Sequence, residues 1–279
     1  MMVQTAPERE PHFISTMREH LELCGILGRA FGNDQFERLS PFDEVIYVID
    51  NHDRGWDYYD TRPGLDPDMH LPYLMSKTPV PASVKTNKGS PDFNETHHPY
   101  CGLISSMHSW GLYNRRYGFT QFVVRTRQST SITVQDAFRP LRDAMLAGEL
   151  ERQQRLKKQL AENPATSGWL AEHHVFQNYK QLTFIDTLSL YFHLYHAGER
   201  GEETFIHVPK SAEEDSTVTV KKLADDRYSL DPFPFRESLK LTCRGRYTMP
   251  FPADFNEEGL GAALAALPTD RQTYHLVPE

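Results

Sequence analysis

The 279-residue sequence predicts a mainly α-helical protein with a small β-rich C-terminal extension. Three observations lead there. Apolar residues recur at helical spacing through the first 200 residues. Helix-start signals, Thr16 with Glu19 and Ser40 with Pro41, stand just ahead of two of those runs. Beyond residue 201 the pattern breaks into short β-type segments separated by turns.

The first helix starts at Thr16, whose spacing to Glu19 is that of a capping box, and stops at Gly32-Asn33. His20 falls on its apolar face with Cys24, Leu27 and Phe31, so it points inward. A second helix takes Ser40 as N-cap and Pro41 as its first residue. Its near-continuous Val45, Ile46, Val48 and Ile49 make it deeply buried. It delivers His52 and Asp53 at its C-terminal end, with Gly55 as terminator.

Prolines at 63, 67, 72, 79, 81 and 91 exclude a regular helix from residues 57–97. Tyr58, Tyr59, Tyr73 and Phe93 make this stretch an ordered loop wrapped over something. A third helix runs from Pro99 to Tyr113 with Cys101, Ile104, His108 and Leu112 on one face. Residues 119–134 fit a strand or a loop, and 135–162 form a charged, solvated outer helix. Residues 167–197 form a long helix ended by Gly198, and Asp186 sits in its most apolar part, LTFIDTLSLYFHLYH. Two domains follow from this pattern: a helical body at 1–200, and a β-rich module at 201–279 containing one short helix, EEGLGAALAAL. The module has three candidate roles: closing a pocket, forming a homodimer contact, or stabilising the body.

A net charge of −8 and a pI near 5.9 argue against nucleic acid and anionic membranes as partners, leaving a small-molecule substrate. Cys24, Cys101 and Cys243 are few, scattered and odd in number, which suits reduced thiols in the cytoplasm. The opening MMVQTAPEREPHF lacks the apolar core of a signal peptide, and no run of 18 apolar residues offers a membrane span.

The chemistry concentrates in His20, His52, Asp53 and Asp186, brought by three separate helices. Imidazole and carboxylate donors suit Fe, Mn, Co, Ni or Zn. His108 is the next candidate ligand and His98 a sixth. A ten-residue helical rise separates those two by about 15 Å, so together they serve one site only through two metals. His97 and His70 are loop alternatives. Each residue alone also fits a plain structural role: an inward histidine as a hydrogen-bonded core residue, Asp53 in an Asx turn, Asp186 as a cap or ion-pair partner. One metal site replaces several unrelated explanations.

The succession His20, His52-Asp53, Asp186 resembles the HD-domain metalloenzyme superfamily. More narrowly, EHLELCGILGRAFG at 19–32, HDRGW at 52–56, TRPGLDP…LPY, SSMH at 105–108, FIDTLSLY at 184–191 and LDPFPF at 230–235 resemble an uncharacterised bacterial family of unknown function. The superfamily resemblance implies an HD-like helical bundle around one or two divalent transition-metal ions. His20, His52, Asp53 and Asp186 would be ligands, and His108 would complete a dinuclear site or stand behind the ligands. It also implies a choice of chemistries. A hydrolase of a small phosphate ester or nucleotide-like substrate would use Asp53 and His108 as catalytic residues. Arg54, Trp56, Arg62, Arg115 and Arg116 would then bind substrate. A non-haem oxygenase would use a mixed-valent iron pair on a small organic substrate, shielded by Trp56, Tyr58, Tyr59, Tyr73, Trp110 and Tyr113. A non-catalytic ligand-binding protein would retain the scaffold alone. The hydrolase is the commoner use of the scaffold and is the expectation carried forward.

Overall fold

A computed structural model describes residues 1–114, 132 and 134–279. Its helices are α1 (Met17–Ala30), α2 (Phe42–Asn51), α3 (Asp57–Thr61), α4 (Val80–His97), α5 (Pro99–Asn114), α6 (Arg139–Ala161), α7 (Glu172–Leu194) and α8 (Leu260–Ala266). Its strands are β1 (Met2–Val3), β2 (His12–Ser15), β3 (Glu203–Pro209), β4 (Asp215–Ala224), β5 (Arg227–Asp231), β6 (Leu239–Thr248) and β7 (Asp270–Pro278).

The expected mainly α bundle with a small β extension is overturned. About half the chain is helical, and the rest is organised by one curled, half-barrel sheet of seven strands. The strand order is β1-β2-β6-β7-β5-β4-β3, antiparallel except where β5 runs parallel to β7. The N-terminal strands enter through β2, where Phe13 pairs with Tyr247 of β6. Strands of two and four residues carry too little alternation to be seen in a sequence. The segments SLKLTC and RYTMPF merge into the single strand β6.

The capping box at Thr16 forms as expected: the Glu19 amide donates to Thr16 Oγ1 (3.2 Å) and the Thr16 amide to Glu19 Oε2 (2.6 Å). Helix α2 departs from expectation at both ends. Pro41, not Ser40, holds the N-cap position, because the Ser40 carbonyl is engaged by Asn178 Nδ2 of α7 (2.7 Å). The helix stops at Asn51 with His52 as its cap, so Gly55 does not terminate it. Gly55 permits a close approach instead. A Cβ there would lie 2.0 Å from the Thr86 carbonyl oxygen of α4.

The stretch 57–97, expected to be irregular, contains the 18-residue helix α4. Pro79 and Pro81 flank its first turn, where a missing N–H costs nothing. Pro91 lies inside it, buried, and packing against α5 outweighs a penalty of about 3 kcal/mol. The ambiguous stretch 119–134 falls almost wholly outside the described residues. The long helix α7 ends at Leu194, where Tyr195 turns to extended backbone, so Gly198 is not its terminator. Among the described residues no helix is long and apolar enough to cross a membrane.

The core lies between the sheet and α1, α2, α5 and α7. Phe184 of α7 meets Phe205 of β3 at 5.3 Å and Phe31 at 6.2 Å. One end of α7 is anchored by Phe192, stacked on Tyr274 at 4.7 Å and set edge-on to Tyr228 at 5.1 Å. The buried Arg200 ties this corner together by donating to Tyr228 Oη, Tyr274 Oη and the Phe192 carbonyl. One side of α7 is thus held by the sheet while another faces the helices.

Phe184→Ala should lower the unfolding free energy by about 3–5 kcal/mol, since the void is walled by a helix and a sheet that cannot both close on it. Urea titration checks this; a loss below about 1 kcal/mol would show that this ring does not lock α7 to the sheet.

Candidate metal centre

Three helical segments converge on Asp186 of α7. Helix α1 brings His20, the end of α2 brings His52 and Asp53, and α5 brings His108. His20 Nε2 lies 3.1 Å and His52 Nε2 3.5 Å from Asp186 Oδ1, while His108 Nε2 lies 3.9 Å from Oδ2. His52 Nε2 is also 3.8 Å from Asp53 Oδ2. Asp186 therefore turns one oxygen to His20 and His52 and the other to His108. The diverging side chains of the adjacent pair His52-Asp53 reach one target because the helix ends between Asn51 and His52.

The histidine rings are set from behind. His52 Nδ1 donates to the Ile49 carbonyl (3.0 Å), which leaves Nε2 as a lone-pair donor facing the cluster. His20 Nδ1 is held by Ser189 Oγ at 3.0 Å. Anchoring one ring nitrogen while the other points at a shared centre is the arrangement of metal-bound imidazoles.

Two donor groups have all their ligand atoms within 4.8 Å of one another: His20, Cys24, His52 and Asp186, and His52, Asp53 and His108. His52 belongs to both. Its Nε2 is buried yet has no hydrogen-bond partner among the described residues. Leaving a buried polar atom unsatisfied costs about 1–3 kcal/mol, and a cation would satisfy it. Charge agrees. Asp53 and Asp186 carry two negative charges into a buried site, and the neighbouring Arg54 turns away to Asp57 (2.9 Å) and the Phe93 ring (4.5 Å). One divalent ion would balance both carboxylates beside neutral imidazoles. The residues present therefore fit a transition metal.

Without an ion, the carboxylates polarise the imidazoles. Burial acts to lower the His52 pKa, but Asp53 and Asp186 outweigh it and hold the ring up at about 9. Burial acts to raise Asp186, yet the imidazoles of His20 and His52, 3.1 and 3.5 Å from its Oδ1, drive it well below the usual carboxylate range. Burial pushes His108 down, and pushes His193 down to about 3.

The other candidates separate clearly. His98 lies off the cluster: it closes α4, its Nδ1 accepts from the Tyr100 amide (3.2 Å), and its ring sits 5.7 Å from Trp169. It does not join the expected ligands, because it stands between α4 and α5, at the opposite end of α5 from His108. His97 stacks on Tyr47 at 3.6 Å, and His70 occupies a turn at φ 52°. Trp56 and Arg62 line a cavity of about 320 Å³ with Tyr58, Tyr59 and Tyr73. No cluster residue lines it; its link to the cluster is the turn in which the Trp56 amide donates to the Asp53 carbonyl (3.0 Å). Tyr113 instead bonds Ser83 and Asn87. Arg115 and Arg116 lie outside the described residues. A larger cleft, about 990 Å³ between α4 and α6, contains no cluster residue, and its Arg152 is paired with Asp92, Glu95 and Glu149.

Cys24, Ser189 and His193 were not among the expected site residues. Cys24 follows His20 by four residues, and Ser189 and His193 follow Asp186 by three and seven, so helical spacing alone places them on the same faces.

The chain belongs to a family described as "Protein of unknown function (DUF3891)", whose model matches residues 1–249. The matched region stops short of β7, which lies inside the sheet between β6 and β5. Comparison with curated proteins and with solved structures gave no match.

Elemental analysis of purified protein should find up to about two equivalents of Fe, Mn, Co, Ni or Zn, falling by most of that amount in both His52→Ala and Asp186→Asn. Unchanged metal in both variants would remove the site. In chelator-stripped protein the raised His52 pKa contributes stability that is complete below its ordinary 6.5 and lost as pH rises toward about 9. The depressed Asp186 contributes above its ordinary 3.8 and is lost as pH falls. The urea midpoint of the stripped protein should therefore fall from pH 6.5 to 9, and His52→Gln should flatten that fall. A flat wild-type profile would contradict the His52–Asp186 pairing.

Proposed function

We propose that this protein is a metal-dependent hydrolase of the HD type acting on a small phosphate ester. The observation that supports this most is the inward His52 Nε2, buried without a hydrogen bond where His20, Asp53, His108 and Asp186 meet. When bound by these residues, a divalent transition metal lowers the pKa of a water and offsets phosphoryl charge.

The chain's own groups divide the remaining work. His20 and His52 have fully buried side chains, whereas Asp53, Asp186 and His108 retain 9, 7 and 4% exposure. Substrate approaches over the carboxylates and His108, with the two inner imidazoles forming the floor. Asp53, at the open edge, accepts a proton from the attacking water on a carboxylate oxygen. Asp186 stays ionised and orients His20 and His52. His108, kept neutral by burial, offers Nε2 to a phosphoryl oxygen. Arg62, resting over the Tyr58 ring at 5.0 Å on the cavity wall, supplies a cation for the ester, and Trp56 supplies a rigid apolar surface.

Asp186, with one oxygen turned to His20 and His52 and the other to His108, could bridge two ions, which favours a second reading, a non-haem di-iron oxygenase acting on a small organic substrate in the same aromatic cavity.

Anaerobic assays with a panel of phosphate monoesters and diesters should show metal-dependent release of alcohol. Asp53→Asn should lower kcat by about 10²–10⁴-fold, the scale of a lost general base. Arg62→Ala should lower kcat/KM by roughly 10-fold or more, mainly through KM. Turnover that requires oxygen, with a mixed-valent iron resonance perturbed by substrate, would replace the hydrolase with the oxygenase.

A further inference from the structure

We infer that Cys24 is a ligand of the metal centre, so that the buried half of the site is a sulfur-bearing set of His20, Cys24, His52 and Asp186. This rests on the metal-centre reading above and adds a donor to it.

Cys24 is fully buried one helical turn beyond His20, on the same inward face of α1. Its Sγ lies 3.6 Å from His20 Nε2. Metal–nitrogen and metal–oxygen bonds of about 2.0–2.2 Å and a metal–sulfur bond of about 2.3 Å, at tetrahedral angles, separate N/O donors by about 3.4 Å and N from S by about 3.6 Å. The observed separations are 3.1 Å for His20–Asp186, 3.5 Å for His52–Asp186 and 3.6 Å for Cys24–His20. These three of the six donor pairs lie near those values, and all four donor atoms fall within 4.8 Å of one another. An S–H···N contact would account for the distance from Cys24 to His20. It would leave His52 Nε2, buried and aimed into the same space, unsatisfied.

The other two cysteines differ. Cys101 Sγ donates to the Glu44 carbonyl at 3.4 Å, and Cys243 lies in the sheet strand β6. Neither joins a donor group among the described residues.

The consequence lies in metal choice. A thiolate shifts a nitrogen–oxygen site toward Zn, Co or Fe and away from Mn. On binding, Cys24 loses its thiol proton to solvent, and a water would join the four protein donors as a fifth ligand. His52 also belongs to the neighbouring donor group with Asp53 and His108, and Asp53 is the most exposed member of the cluster at 9%.

The test is X-ray absorption on full-length protein loaded with Zn²⁺, supported by the optical spectrum of the Co²⁺ form. Wild type should show a sulfur shell at about 2.3 Å and a near-ultraviolet thiolate-to-cobalt band. Both should vanish in Cys24→Ser and persist in Cys101→Ser and Cys243→Ser. Zn²⁺ affinity of Cys24→Ser should drop roughly 10-fold or more while Mn²⁺ affinity changes less than about threefold. Bound metal with only nitrogen and oxygen neighbours would overturn the Cys24 assignment and leave the centre standing. A sulfur shell that survives Cys24→Ser would overturn it too. Failure of the wild type to retain Zn²⁺ or Co²⁺ would overturn both the assignment and the centre.

Discussion

A carboxylate inside an apolar helix sets the terms for this structure. Asp186 occupies the middle of α7, flanked by the buried Ile185, Leu188 and Phe184. An ionised group there costs several kcal/mol unless partners surround it. Helices α1, α2 and α5 each deliver an imidazole to it, which explains why those three helices meet α7 at one level. The sheet makes the arrangement rigid from the other side. Phe184 on Phe205 and Phe192 on Tyr274 fix the rotation of α7, and with it the direction in which Asp186 points. The β-rich region thus acts on the site without contributing a residue to it.

That division links the fold to the proposed chemistry. Imidazoles locked from behind by Ile49 and Ser189 form a pre-set floor. Asp53 precedes by three residues the Trp56 that lines the aromatic cavity. The close fit of Gly55 against Thr86, with the Gly55 amide donating to Ser90 Oγ, seats the turn from Asp53 to Trp56 on α4.

The site was more legible in the sequence than the fold. His20, His108 and Asp186 could be found because each lies on an inward helical face, and His52-Asp53 because a buried helix precedes it. Cys24 shares the face of His20, yet sulfur on an apolar stripe reads as packing until its distance to Nε2 is known. Ser189 and His193 were hidden in a helix buried on almost every side, where no polar face sets a phase. His98 stands about a ten-residue helical rise from His108, as the sequence spacing showed, and its ring packs by Trp169 instead of entering the cluster. Local rules also failed where tertiary contacts overrode them. Prolines concealed α4, and β1 and β2 are strands only because β6 offers an edge.

Anomalous diffraction from a crystal grown with Fe, Co or Zn, measured across the absorption edge, tests the central claim most directly. The account expects an anomalous peak about 2.0–2.2 Å from His52 Nε2 and from an Asp186 oxygen. An edge-independent map, with His52 Nε2 hydrogen-bonded to Asp186 and no peak between them, would contradict it.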